Sequence, residues 1–148
     1  MKPILQALVI AERIYQDISG KKIIAGTFHH LRLKKRTVRM VQSDEGGWTK
    51  SVRTGSELGS PAAYISLTEV FDRTTVTAQF VNVGKNEVLF QKKIRLASRD
   101  RLATIEIVLP LPPLVRFVKT AGTYSLDLMW NGELLGSQRI IARKDEPG

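Results

Sequence analysis

Residues 122–143, GTYSLDLMWNGELLGSQRIIAR, constrain the fold more tightly than any other stretch of the chain. Tyr124, Leu126, Leu128 and Trp130 alternate with Thr123, Ser125, Asp127 and Met129. That period of two puts the large side chains on one face of a strand. Asn131-Gly132 follows, and both residues tolerate the positive φ that a type I′ turn requires. The return strand starts at Glu133. A strict two-residue register pairs Leu128 with Leu135 but sets Arg139 beside Tyr124 on the core face, where an unpaired charge is costly. One extra residue at Gly136-Ser137 pairs Gln138 with Leu126 and Ile140 with Tyr124, so a β-bulge is expected there.

The remainder of the chain repeats this pattern. Residues 4–15, ILQALVIAERIY, read as a strand, with a helix as the alternative because Ala, Leu, Glu and Arg favour one. Residues 21–33 make a second strand, with Gly26 marking a bulge or a close approach. Ala62–Val70, Thr74–Val83, Glu87–Leu96 and Ala103–Leu109 alternate apolar and polar residues. Lys92 interrupts the apolar face of its strand and is expected near an edge. Pro110-Leu111-Pro112-Pro113 must leave the sheet, because proline cannot donate to a ladder. It is expected to cross between sheets, with Leu111 and Leu114 plugging the end of the core. Strands at this spacing predict an all-β, immunoglobulin-like or C2-like antiparallel β-sandwich of about eight or nine strands with one long basic loop. Tyr124 after Gly122-Thr123 is placed like a tyrosine corner, in which the hydroxyl bonds back to upstream backbone. Leu126 stands where antibody domains carry a cysteine, so no inter-sheet disulfide forms.

The chain of 148 residues, 43% of them hydrophobic, is long enough for a single sandwich domain over 1–148, with a basic loop over 34–60 and a polar tail over 144–148. It has no cysteine, which removes disulfides, thiol nucleophiles and thiolate metal sites. The apolar start is short, interrupted by Gln6 and followed by Glu12 and Arg13, so it reads as a strand rather than a signal peptide. No apolar run has the length of a membrane span. A cytoplasmic location without membrane contact is the expectation.

Lys and Arg number 23 against 14 Asp and Glu, a formal charge of +9. Such an excess attracts nucleic acid, anionic lipid and acidic proteins without choosing among them. Residues 34–60 hold a basic cluster, Lys34, Lys35, Arg36 and Arg39, followed by Gly46-Gly47-Trp48, Lys50 and Arg53. A short strand over Thr37–Val41 fits the residue types there, and the rest reads as loop. Long loops in compact domains are often functional, so a site for a partner or for nucleic acid is expected here. Trp48 offers one stacking surface, with Lys92, Lys93 and Arg95 as further cations. The bland alternative is a solvated charge run with Trp48 packed back on the sandwich.

Catalytic signals are missing. There is no G-x-S-x-G, P-loop or H-E-x-x-H pattern. His29 and His30 are neighbours, and adjacent strand residues point to opposite faces, so the pair is ill placed to chelate one metal. A triad of His30, Asp72 and a serine has no support in the spacing. No cofactor, metal or small-molecule ligand is indicated, and the chain is read as a non-enzyme.

QALVIAERIYQD, KKIIAGTF, VLPLPPL and GTYSLDLMWNGELLGSQ together resemble an uncharacterised family of small bacterial proteins, a domain of unknown function. The resemblance spans most of the chain but not the basic loop. It implies a bacterial cytoplasmic source and a sandwich fold, and it carries no activity or site residues. A non-catalytic binding or assembly module, recruiting a protein partner or a second copy through a sheet edge, is therefore the leading expectation. Nucleic-acid binding through the basic loop is the second.

Overall fold

The computed structural model describes residues 2–33, 37–42, 48–53 and 60–144. Nine of its strands form two packed sheets. One has four strands in the order β2 (Lys22–Thr27), β1 (Ile4–Gln16), β6 (Ala62–Thr68), β9 (Ile105–Pro110). The other has five, in the order β3 (His30–Leu33), β11 (Glu133–Lys144), β10 (Gly122–Trp130), β7 (Asp72–Asn82), β8 (Glu87–Ser98). A separate two-stranded ladder joins β4 (Thr37–Gln42) to β5 (Trp48–Arg53). All pairings are antiparallel except β11 with β3, which is parallel.

The apolar alternation read from the sequence becomes the core. Ile10, Ala63, Ile65, Leu67 and Leu109 of the four-stranded sheet face Val76, Ala78, Phe80, Tyr124, Leu126, Leu128 and Ile140 of the five-stranded one. Each fully buried aliphatic side chain of this kind stabilises the fold by about 1.5–3 kcal/mol. The Phe80 and Tyr124 rings stack at 5.9 Å between them. The Pro-rich connection carries the chain from β9 to β10, and hence from one sheet to the other. Leu111 and Leu114 are buried along it, as is Val118. A single 3-10 turn at Leu114–Arg116 folds this plug inward.

The β10–β11 hairpin has the expected turn, with φ of 48° at Asn131 and 77° at Gly132. Gln138 pairs with Leu126 and Ile140 with Tyr124. The extra residue is Leu135, because Leu128 pairs with Gly136 and Met129 with Leu134. The bulge therefore lies one residue before the expected Gly136-Ser137, where Leu5 packs so close that a Cβ on Gly136 would run into its Cδ2. A side chain there has no room, and the irregularity falls on the neighbouring position.

Two other segments differ from expectation. The single strand expected over 21–33 is divided at Phe28-His29. β2 stays in the four-stranded sheet while β3 crosses to the five-stranded one, and half-buried Phe28 packs on the core at the crossing. The stretch 34–60, read as a long loop with one short strand, holds two paired strands, with Gln42 opposite Trp48 and Thr37 opposite Arg53. The β-branched residues Thr37, Val38, Val41, Thr49 and Val52 account for the ladder. Gly46-Gly47 between them was the hairpin signal.

Candidate interaction sites

The four-stranded sheet is asymmetric, because its central pair β1 and β6 differ in length. β6 pairs with β1 only as far as Ala11, which lies opposite Ala62. Continuing that register would put buried Pro61 opposite Glu12, one position beyond the last pair. The Pro61 carbonyl is turned to the Leu111 N–H, at 2.9 Å. On its other side β1 pairs with β2 as far as Gln16 opposite Lys22. The segments Glu12–Gln16 and Lys22–Gly26 thus form a two-stranded arm beyond the end of β6. Five residues at about 3.4 Å each give it a reach of about 17 Å before its turn.

The arm is apolar where it should not need to be. Ile14 pairs with Ile24 and Tyr15 with Ile23, and none of the four belongs to the core. Tyr15 is 53% exposed, and Ile18 at the tip is fully exposed. The tip is nonetheless well formed. Ser19 Oγ donates to Asp17 Oδ1 at 2.7 Å, the Lys21 N–H donates to the same oxygen at 2.8 Å, and Lys22 Nζ bonds Gln16 Oε1 at 2.8 Å. The bonds that Asp17 accepts, that from the Ser19 side chain foremost and that from the Lys21 N–H next, hold its carboxyl below its ordinary value. At the arm's base Gly26 has φ of 76°, and a Cβ there would meet the Glu12 carboxylate at 2.8 Å. The close approach expected at Gly26 is thus made by Glu12.

The outward face of the five-stranded sheet carries the second feature. Register places Lys93, Arg95 and Arg73 toward its β8 corner and Arg139, Arg143 and Arg32 toward its β3 corner. None of the six has an ion-pair partner among the described residues. Arg73 and Arg95 of the β8 group border an open cavity of about 820 Å³ that also takes in Phe71, Trp130 and Asn131. The Trp130 Nε1–H donates to Thr74 Oγ1 at 2.9 Å inside it. Arg32 and Arg143 of the β3 group border another of about 920 Å³, with His30 and Lys144. Between the corners run Gln79, Gln91 and Asp127, the last bonded by Ser125 and Ser137 at 2.6 and 2.8 Å. Lys93 lies four residues along and three strands across from Arg139, a separation of roughly 20 Å. That exceeds the Debye length of about 8 Å at physiological salt, so the corners act as two separate sites.

Of the residues singled out in the sequence, Lys34, Lys35 and Arg36 lie outside the described residues. Arg39 falls on β4 and Trp48, Lys50 and Arg53 on β5, where the backbone ladder sets Arg39 opposite Ser51 and Lys50 opposite Met40. Their side chains lie outside the described part of the hairpin. Lys92 is exposed on the edge strand β8, opposite Ala78 on the core side, as its position in the pattern implied. His29 and His30 are both exposed, and His29 Nδ1 lies 3.2 Å from Gln138 Nε2. Among the described residues no three acidic or histidine side chains are placed to share a metal ion. No described helix is long and apolar enough to cross a membrane. The arm was hidden in the sequence because its residues have the same alternation as a core strand. What sets it apart is the end of the β1–β6 pairing at Ala11, which depends on the register. No family model matches the chain, and no curated protein is significantly similar to it.

Proposed function

We propose that this protein is a non-catalytic protein-binding or assembly module, at work in the bacterial cytoplasm as the family resemblance implies, and that the β1–β2 arm is its contact element. The observation that carries the reading is a preformed ribbon whose outer edges pair with no other strand among the described residues and whose apolar side chains lie outside the core. Unpaired edges recruit further strands, and a rigid element loses little entropy on doing so. The parallel β3–β11 edge and the Tyr124 hydroxyl bond support an immunoglobulin-like variant of the sandwich, a scaffold well suited to presenting such an arm. The test replaces residues 13–25 with a short Gly-Ser turn. Complexes or oligomers formed by the intact chain are expected to disappear while the sandwich stays folded by near-ultraviolet circular dichroism. Complexes that survive arm removal overturn the reading.

A second reading, nucleic-acid binding, is favoured by one observation. Arg143 pairs with Arg32 across the parallel ladder, like charges side by side, and the chain continues directly into Lys34-Lys35-Arg36. Like charges opposite one another destabilise a sheet unless an anion joins them. If about four phosphates are neutralised, affinity for DNA or RNA falls roughly 10²-fold between 50 and 200 mM salt. Absence of binding at low salt removes this reading.

A further inference from the structure

We propose that the arm pairs with the arm of a second copy of this chain, the Glu12–Gln16 edges lying antiparallel across a twofold axis at Ile14. The inference rests on the arm being the contact element and goes beyond that by naming the occupant.

The choice of edge follows from which edges are guarded. The outer edge of β2 carries Lys21 and Lys22 and is broken by the positive φ of Gly26. β8 carries Lys92, Lys93 and Arg95, β9 ends in Pro110, and β3 is four residues long. Lysines, prolines, irregular backbone and shortness are the devices that keep edges from pairing. The Glu12–Gln16 edge has none of them. Its two charges are opposite in sign, and Ile14, Tyr15 and Gln16 carry no charge.

The choice of occupant follows from self-complementarity. Pairing about Ile14 sets Ile14 against the second copy's Ile14, Glu12 against its Gln16 and Arg13 against its Tyr15. Combined with the observed β1–β2 register, one face gains an unbroken row of four isoleucines, Ile24-Ile14 from each copy. On the same face the exposed Glu12 carboxylate comes alongside the second copy's Gln16, whose amide oxygen already holds the Lys22 ammonium at 2.8 Å. Opposite charges therefore meet twice by symmetry. On the other face Arg13 lies over the second copy's Tyr15, a cation against an aromatic ring. A two-stranded ribbon alone is marginal in water, and three or more strands with an apolar face make a stable unit. The paired arms form a four-stranded one.

The chain has no cysteine, which makes the test direct. Sedimentation of the intact protein over a wide concentration range is expected to show doubling of its mass. Ile14→Cys is expected to form a disulfide-linked dimer under mild oxidation at least tenfold faster than Ile18→Cys, although Ile18 is the more exposed. Ile14→Lys, which sets two ammonium groups against each other, is expected to return the protein to one chain with the sandwich intact. A protein that stays monomeric at the highest concentration reached overturns the self-pairing and leaves the arm open to a different partner. A dimer that survives Ile14→Lys, or Ile18→Cys cross-linking as fast as Ile14→Cys, places the contact elsewhere and overturns both the self-pairing and the arm as contact element.

Discussion

Tyr124 shows how one side chain serves two purposes. Its ring lies buried against Phe80, and its hydroxyl donates to the Thr120 carbonyl at 2.8 Å, tying the start of β10 to the crossing loop. Tyr124→Phe keeps the ring and orphans the carbonyl. A loss of about 1–2 kcal/mol is expected, read as a lower urea midpoint. Tyr64 makes a different bond, donating to the Glu106 carboxylate across β6 and β9. That hydrogen bond first, and burial second, raise the Tyr64 hydroxyl above the ordinary tyrosine value. A raised folded value means that its contribution is complete below the unfolded pKa and is lost as pH rises through the folded one. Ultraviolet titration should show Tyr64 ionising late, and Glu106→Gln should make it ionise earlier. Asp17 has the opposite sign. Its lowered value means that the arm's turn keeps its contribution above the unfolded aspartate pKa and loses it as pH falls through the folded one. Amide protection at Ser19–Lys22, taken against the intrinsic exchange rate at each pH, is expected to fall in acid, and not to do so in Asp17→Asn.

At the scale of elements, the arm is the unit that stands apart. Gly26 occupies a positive φ and lies under Glu12, so Gly26→Ala meets both backbone strain and a clash. The strain acts on the β1–β2 ladder and not on the core, because no apolar residue of the arm contributes to it. Faster exchange confined to residues 12–25, with the melting temperature within a few degrees of the parent, is the expected result. A loss of several kcal/mol from the whole fold would mean that the arm is part of the core after all. The β10–β11 hairpin is the contrasting case. Tyr124, Leu126, Leu128, Ile140 and Ala142 on its inward face are buried, so the hairpin is held by packing as well as by local preference.

On the whole-molecule scale, charge and burial are arranged separately. The core runs unbroken between the sheets, while unpaired cations gather at two corners of the outward face about 20 Å apart. An anionic partner that touches one corner gains little from the other at physiological salt. Arg143→Ala and Arg95→Ala are therefore expected to weaken polyanion binding independently, if such binding occurs, with additive effects in the double variant.

The alternation of apolar residues, the Asn131-Gly132 turn and the exit at Pro112-Pro113 were legible in the sequence, because each rests on local preference or on a period that any strand must obey, whereas Pro110, expected outside the sheet, is the last residue of β9 opposite Ala62. The expected bulge was off by one residue, since its position depends on Leu5 from a distant strand. The division of 21–33 at Phe28 and the pairing of β4 with β5 depend on which ladder a segment joins, which alternation cannot specify. The arm is the extreme instance. Ile14, Tyr15, Ile23 and Ile24 look like core residues until the neighbouring strand, about fifty positions along the chain, is seen to pair no further than Ala62 opposite Ala11. Side-chain period is a local property and could be read from residue order alone. Which edges are left open is a property of register between distant strands, and only the assembled sheets decided it.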